Sequence, residues 1–368
     1  MSEKLLKSSN YLIKVIRDVL NDKSTEPIEG DIFTYKDIIS LAKFHQVENI
    51  VYFGIEKFIK DPNLLNYIKK REKQNITQVL YQEEEKKILC EAFEKSNIDF
   101  LPVKGYFNRS LYPRPDFRFM SDLDILFDKS KKSSSKKMMK KIGYKVEEYN
   151  YRNHDVYSKE PLIHVELHRS LLPSDYQNYQ YYEKIYEKAT ISKDNKNLYI
   201  LNEDDRYLFD LVHLKKHYDR GGIGIRNFID IYLNLTKNAS KLHEDYLKQE
   251  SEKLGITEFR SKIEKIAIEW FGTGEESEEL KEMKEFIITS GVYGTVSNLV
   301  DGNLEKEKSS KTKTVLKRAF PSVKEMRGLY PVLEKSILLL PFCYICRLCR
   351  ALKKSKRVIG EIKEIKNK

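Results

Sequence analysis

Residues 101–126 read LPVKGYFNRSLYPRPDFRFMSDLDIL, and this stretch decides the expected fold. It runs from an apolar strand through a Lys-Gly turn and a short, proline-broken helix into a second apolar strand. Asp122 and Asp124 lie one residue apart at the start of that second strand. Because buried carboxylates are costly without a cation, the pair indicates a chemical site within the sheet.

The spacing of the two aspartates predicts where their side chains point. Side chains alternate across a strand, so Asp122 and Asp124 share one face while Leu123 and Ile125 point to the other. Carboxylate oxygens are the ligands that Mg²⁺ prefers. A third acidic residue on a neighbouring strand would allow two metal ions to bind, and Glu166 in the segment LIHVELH is the candidate. We therefore predict two Mg²⁺ ions, with Mn²⁺ as an alternative.

Segments with helical periodicity precede and follow this stretch. Before it come NYLIKVIRDVLN, YKDIISLAKFHQVENIVYFGIEKF and TQVLYQEEEKKILCEAFEKSN, and after Glu203 come EDDRYLFDLVHLKKHYD, RNFIDIYLNLTKN, EFRSKIEKIAIEWF and EELKEMKEFIIT. The segments between them, YKVEEYN, HDVYSK and LIHVELH, alternate as antiparallel strands do. The sequence predicts an α+β fold in which a small mixed sheet is flanked by N-terminal and C-terminal helical segments.

The same patterns predict a division of the chain into five parts. These are an N-terminal helical segment (1–78), a sheet core (79–200), a helical domain (201–300), a polar linker (301–314) and a basic C-terminal helical tail (315–368). A chain of 368 residues with 40% hydrophobic and 33% charged content fits one large or two ordinary domains.

Composition also bears on location. The start MSEKLLKSSN contains no apolar segment of the secretory kind, so we expect a cytoplasmic protein. The 4 cysteines give no support to a disulfide framework, and reduced thiols are expected.

The positive charge of the chain is concentrated near its end. Residues 306–368 hold 18 Lys and Arg against 5 Asp and Glu, whereas the first 305 residues carry a net charge of −2. The apolar run Ile337–Cys346 contains Pro341 and is too short to cross a bilayer. Two interpretations stay open: this tail packs on the protein, or it contacts RNA or an anionic membrane surface, which would make the protein peripheral to the membrane.

The motifs around the carboxylates resemble those of the bacterial nucleotidyltransferases of the polymerase-beta-like superfamily. The similar branch carries Lys-Gly, Tyr-Pro, Arg, Asp-x-Asp and Glu-x-His, followed by His-x3-His and Arg-x3-Asp. The matching residues are Lys104-Gly105, Tyr112-Pro113, Arg118, Asp122, Asp124, Glu166, His168, His213, His217, Arg226 and Asp230. The resemblance covers roughly residues 80–240. Where most of the superfamily has Gly-Ser, this chain has Gly105-Tyr106, with Asn108 or Ser110 as candidate substitutes.

The resemblance implies a nucleotidyltransferase core that moves an NMP from an NTP to an acceptor hydroxyl with release of pyrophosphate. It implies that Asp122, Asp124 and Glu166 are catalytic and hold the metal ions. The implied nucleotide-binding residues are Lys104, Gly105, Arg118 and Ser121, and the implied acceptor-binding or supporting residues are His168, His213, His217, Arg226 and Asp230. The acceptor stays open between RNA, protein, a sugar and a small molecule.

Other interpretations of the same residues stay open. Gly105 has the φ > 0 freedom that a simple turn requires, and Arg118 is also suited to bracing the loop. His213 and His217 also fit ordinary helix packing. His164, Glu166 and His168 alternate on one strand, which is a zinc-ligand set and favours a zinc hydrolase as one alternative. A non-catalytic nucleotide-binding or interaction module of the same fold is another.

Overall fold

An α+β fold is present in the computed structural model, which describes residues 1–219, 221–273, 277–291 and 320–350. The predicted linker, 301–314, lies outside the described residues. Within those residues, no helix combines the length and the apolar character that crossing a membrane requires.

The central sheet has five strands in the order β1-β2-β5-β4-β3. The strands are β1 Phe100–Pro102, β2 Leu123–Phe127, β3 Lys145–Tyr151, β4 His154–Lys159 and β5 Ile163–His168. Strands β2 and β5 are parallel, whereas β1 pairs with β2, β4 with β5 and β3 with β4 in antiparallel fashion. The prediction of a small mixed sheet is confirmed. A separate hairpin, β6 Ala189–Ile191 and β7 Tyr199–Leu201, is antiparallel.

Helices precede and follow the sheet. Those up to the hairpin are α1 Glu3–Leu20, α2 Tyr35–Phe44, α3 Glu48–Ile55, α4 Pro62–Lys95, α5 Gly105–Asn108, α6 Lys132–Lys141 and α7 Tyr179–Glu183. Those after it are α8 Glu203–Tyr218, α9 Ile225–Lys237, α10 Glu244–Leu254, α11 Thr257–Phe271, α12 Lys281–Ser290, α13 Val323–Leu329 and α14 Val332–Lys335. Residues 340–350 are also helical.

One face of the sheet packs against helices α4 and α6. Their side chains Phe93 and Met139 are buried with Leu123, Ile125 and Val165 of the central strands. Burying these apolar side chains covers this face of the sheet and leaves the carboxylates of the opposite face at a cavity.

The predicted N-terminal segment and helical domain share one hydrophobic core. Leu12 and Ile16 of α1, Ile50 of α3, Phe228 of α9 and Ile263 of α11 belong to the same buried cluster. Helix α4 also runs unbroken across the predicted boundary at residues 78 and 79. The N-terminal helices therefore pack with the later helices, and α4 joins them to the sheet.

The start of α8 shows how local sequence positions one wall of the site. Asn202 caps the helix, and its side-chain oxygen accepts a hydrogen bond of 2.8 Å from the backbone N–H of Asp205. Glu203, Asp204 and Asp205 place negative charge in the first turn, where the helix dipole favours it. The helix therefore begins at a defined residue.

Candidate active site

The Lys-Gly turn after β1 has an unusual backbone. Lys104 has φ 55° and ψ −123°, a conformation that residues with a side chain rarely adopt. Gly105, by contrast, is constrained by space. A Cβ atom there would lie 2.3 Å from Arg118 Nη1 and 2.8 Å from Met120 Sδ. The sequence interpretation that placed the left-handed backbone at Gly105 is thus corrected, because the strain is at Lys104 and the glycine allows close packing.

The three predicted carboxylates come together at the open face of the sheet. In the parallel pairing of β2 with β5, Asp124 is directly opposite Glu166. Asp122 precedes β2 by one residue, and Ser121 donates a hydrogen bond of 3.1 Å to its Oδ1 atom. In-register residues on adjacent strands point to the same face, so Asp124 and Glu166 are neighbours.

Asp124 is held by two nitrogen donors. Lys104 Nζ lies 2.7 Å and His168 Nε2 lies 2.8 Å from the same Oδ1 atom of Asp124. His168 Nε2 also lies 3.4 Å from Glu166 Oε2. On its other side, His168 Nδ1 is 3.4 Å from Nδ2 of Asn153. His168 therefore links the carboxylates of β2 and β5.

The charges in this cluster shift the pKa values in opposite directions. Burial and the nearby Asp124 and Glu166 raise the pKa of Asp122 to about 6. Burial opposes ionisation of Asp124, but Lys104 and His168 outweigh it and hold this pKa well below its usual range.

Glu166 and His168 shift each other's pKa values. Burial opposes ionisation of Glu166 too, yet His168 lowers its pKa to about 2. Burial would lower the pKa of His168, but hydrogen bonds to Asp124 and Glu166 outweigh it and raise that pKa. At neutral pH the cluster therefore carries more negative charge than Lys104 and His168 neutralise.

Arg118 is part of a buried ion pair. Its Nε donates to Asp230 Oδ1 at 2.8 Å, and its Nη2 donates to Asp230 Oδ2 at 2.6 Å. Tyr112 donates a further hydrogen bond of 2.8 Å to Asp230 Oδ1. This fork geometry fixes the guanidinium at the wall of the site. The predicted phosphate contact of Arg118 stays a prediction.

Helices α8 and α9 supply the wall opposite the sheet. His213 and His217 lie one turn apart with their Nε2 atoms 3.2 Å from each other. Arg226 donates from Nη1 to Gln46 Oε1 at 2.6 Å and to the backbone carbonyl of Phe119 at 2.9 Å. The structure thus brings both predicted motifs of these helices to the site.

Most of the predicted site residues line one cavity, which has a volume of about 570 Å³. The predicted residues that line it are Lys104, Arg118, Ser121, Asp122, Asp124, Glu166, His168, His213, His217, Arg226 and Asp230. Gly105 is not among its lining residues and lies behind Arg118. Of the two candidate substitutes for the missing Ser, Asn108 lines the cavity, whereas Ser110 is exposed and donates to the carbonyl of Phe107.

The sequence interpretation missed Asp210. This residue lies one turn before His213 on α8 and accepts a hydrogen bond of 2.6 Å from Asn108. Burial and the charge of Asp230 raise the pKa of Asp210 to about 6. In the local sequence, only its spacing of three residues from His213 indicated that it shares a helix face with that histidine.

The histidine beside Glu166 also differs from the expected one. His154, Glu166 and His168 have potential ligand atoms that all lie within 4.8 Å of one another. His154 is opposite His168 in the register of β4 with β5, whereas His164 is exposed and is not part of this group. Burial and the charge of His168 lower the pKa of His154 to about 3. The expected His164–Glu166–His168 set is therefore corrected to one that contains His154.

Comparisons with known proteins identify the family of this chain. Two of the solved structures similar to this chain are antibiotic-modifying or resistance proteins. The lincosamide antibiotic adenylyltransferase LnuA, bound to lincomycin, is 20% identical, with 34% of this chain and 84% of that one covered and a TM-score of 0.26. The antibiotic-resistance factor ANT(2'')-Ia is 11% identical, with 51% and 95% covered and a TM-score of 0.32. At these TM-scores, neither likeness carries an argument about the fold or the function of this chain.

A search of curated proteins found no match. A family model described as uncharacterised nucleotidyltransferase matches residues 33–272, which is more than half of the chain and contains all of the site residues above. The chain therefore belongs to this family of nucleotidyltransferases.

Proposed function

We propose that the protein transfers a nucleotidyl group from an NTP to an acceptor hydroxyl and releases pyrophosphate. The observation that carries this proposal is the convergence of Asp122, Asp124 and Glu166 beside Lys104 in one cavity. The family supports the transfer of a nucleotidyl group. The acceptor hydroxyl and the release of pyrophosphate belong to the proposal.

The donor set suits two Mg²⁺ ions, or Mn²⁺ in their place. Asp122, Asp124 and Glu166 would hold them, because hard divalent cations prefer oxygen ligands. The raised pKa of Asp122 is consistent with this fit, since it arises from burial and from the nearby charges of Asp124 and Glu166, which a bound cation would offset. When bound, such ions offset the charge that develops on the attacking, transferred and leaving oxygens.

The chain's own groups divide into two sets around the carboxylates. On one side, Lys104 is suited to contact phosphate as a point charge, and Asp230 holds Arg118 in a fixed orientation beside the same turn. We assign the triphosphate to this side. His168 orients Asp124 and Glu166 through its Nε2 atom.

The other side of the cavity is assigned to the acceptor. Arg152, Asn153 and His154 line it where β3 passes into β4, next to Glu166. They offer hydrogen-bond donors to a polar acceptor, whereas Lys104 and Arg118 of the nucleotide side belong to the connection between β1 and β2. His213, His217 and Arg226 form the wall that faces both substrates.

The test is a transfer assay with each of the four α-labelled NTPs, Mg²⁺ and a cell extract as the source of acceptor. The wild-type protein is expected to move label into a new species with release of pyrophosphate. Asp122→Ala with Asp124→Ala should abolish the transfer. Asp128→Ala is the matched control, because Asp128 follows the same strand and caps the next short helix outside the cavity. Equal labelling by the double variant and the wild type would refute the catalytic assignment.

A second candidate function rests on the group His154, Glu166 and His168. Neutral imidazole and carboxylate are zinc ligands, so a zinc hydrolase remains an alternative. Metal analysis of protein purified without chelator distinguishes the hydrolase from the transferase. Zinc in a stoichiometric amount, lost in His154→Ala, favours the hydrolase, whereas zinc-free protein opposes it. A non-catalytic module of the same fold would bind NTP with Mg²⁺ but release no pyrophosphate.

A further inference from the structure

The C-terminal segment displays an apolar face to solvent. Along the stretch 337–348, the exposed fractions are 85% for Leu338, 64% for Phe342, 58% for Ile345 and 49% for Leu348. Their spacing of three to four residues places Phe342, Ile345 and Leu348 on one side of the helical stretch 340–350. Other exposed apolar side chains, such as Leu80 and Ile191, lie in separate elements. A contiguous row of this kind indicates a contact surface.

The opposite face of the same helix is anchored to the protein. Cys343 is buried with Met326 of α13, Leu333 of α14 and Tyr330 between these helices. The guanidinium of Arg350 lies 4.0 Å from the ring centroid of Tyr151 at the end of β3.

The preceding helix is tied to the same strand end. The backbone N–H of Arg152 donates to the carbonyl of Leu329 at 2.8 Å. Within residues 320–350, one face of the predicted tail therefore packs against the edge of the sheet, and the other face is exposed.

The charge of the surrounding sequence bears on the partner of the outward face. From residue 335 to residue 360 the sequence holds seven Lys and Arg and no Asp or Glu. An anionic bilayer surface satisfies both features, since its headgroups attract the cations and its acyl boundary accepts Leu, Ile and Phe side chains. RNA would use the cations but leave the aliphatic side chains in water. A second copy of the chain would bring two sets of like charges together.

We propose that the face formed by Leu338, Phe342, Ile345 and Leu348 docks on the surface of an anionic lipid bilayer. The helix lies in the interface and does not span it. This proposal does not rest on the proposed function. It adds a membrane surface as a partner of the protein, next to the strand end that carries Arg152 and Asn153.

The experiment is flotation of the full chain with vesicles made of equal parts phosphatidylglycerol and phosphatidylcholine, at about 0.15 M NaCl. The wild type is expected to float with these vesicles, and to float less with phosphatidylcholine alone or at high salt. Phe342→Ser with Ile345→Ser should lower the partition coefficient roughly tenfold or more, because both side chains leave the acyl boundary.

The matched control is Leu80→Ser with Ile191→Ser, which removes side chains that are 66% and 55% exposed elsewhere on the surface. It should float as the wild type does. Urea unfolding of both double variants checks that the fold is kept. The proposal is overturned if the wild type does not bind the anionic vesicles, or if the two double variants bind equally. It is also overturned if size-exclusion chromatography shows a dimer that the Phe342 and Ile345 changes dissociate while vesicle binding is absent.

Discussion

The Nζ atom of Lys104 lies 2.7 Å from the Oδ1 atom of Asp124, and this ion pair joins the turn after β1 to strand β2. Asp124 is buried and Lys104 is half-buried in the lining of the cavity, and Lys104 has a strained backbone. Strain of this kind persists when the surrounding contacts fix it, and it concentrates at functional sites. Two sequence motifs that are twenty residues apart are thus coupled by one partly buried ion pair.

Lys104→Met should reveal this coupling as a loss of stability. The substitution leaves the buried Asp124 carboxylate with His168 as its remaining side-chain partner, and we expect the free energy of unfolding to fall by about 3 kcal/mol. Urea unfolding at neutral pH in the presence of a chelator measures it. Adding Asp124→Leu should restore part of the loss, because no unpaired charge stays buried.

Lys129→Met is the control for this experiment. Lys129 is exposed and pairs with Glu183 at 3.7 Å, so its loss should change the free energy of unfolding by less than about 1 kcal/mol. Equal stability of Lys104→Met and the wild type would contradict the coupling.

Asp230→Asn should change NTP binding more than chemistry. Under the proposed function, Asp230 contacts Arg118 and acts through it, so loss of the carboxylate frees the guanidinium to change orientation. We expect the KM for NTP to rise about tenfold with a smaller change in kcat. Asp204→Asn is the matched change, because Asp204 is a buried carboxylate that pairs with His243 outside the cavity. An unchanged KM in Asp230→Asn would argue against a phosphate role for Arg118.

Much of the fold follows from local patterns. The alternation in SDLDILF and LIHVELH predicted two strands with carboxylates on one face, and the structure pairs Asp124 with Glu166 in register. Helical periodicity likewise predicted α8 and α9, which carry His213 and Asp230. These predictions succeeded because burying one face of a strand or helix makes apolar residues recur at the spacing of that element.

The missed features depend on contacts between distant residues. The histidine beside Glu166 is chosen by the register of β4 with β5, so the local alternation that favoured His164 could not reveal His154. Asp210 meets Asn108 across about a hundred residues of chain. The positive φ lies at Lys104, whereas Gly105 is required because Arg118 and Met120 occupy the space that a side chain there would need. None of these contacts produces a periodic pattern in the sequence, so the sequence pattern could not predict them.

Asp210 should make the protein less stable as the pH rises. Its pKa in the folded state is raised from 3.8 to about 6, so the folded state holds the proton more tightly than the unfolded state does. The stabilisation from this proton is complete below the unfolded pKa and is lost as the pH rises through about 6. Asp210→Asn removes the titration, so its stability relative to the wild type should increase between pH 4 and pH 7, by at most about 3 kcal/mol.

The measurement is urea unfolding of the wild type and Asp210→Asn at several pH values across this range. Asp31→Asn is the control, because Asp31 is exposed and is not among the residues that line the cavity. A constant difference between wild type and Asp210→Asn would mean that Asp210 titrates as an ordinary surface carboxylate.

Gly105→Ala tests whether close packing against neighbouring side chains requires a glycine at this position. An added Cβ would lie 2.3 Å from Arg118 Nη1 and 2.8 Å from Met120 Sδ, so both side chains must shift unless the backbone does. We expect the free energy of unfolding to fall by about 1–3 kcal/mol, although alanine favours the helix that begins there. Gly30→Ala is the comparison, since its Cβ meets nothing within 4 Å and its cost arises from the backbone alone.

A double-mutant cycle completes this test. If Arg118 is the group that the added methyl group would displace, then Gly105→Ala should cost less in an Arg118→Ser background than in the wild type. Nucleotide transfer should fall in Gly105→Ala together with stability, because the displaced guanidinium also loses its fork to Asp230. Additive costs of the two substitutions would show that the crowding around Gly105 is relieved elsewhere, and Met120→Ala in place of Arg118→Ser would then identify the side chain that moves.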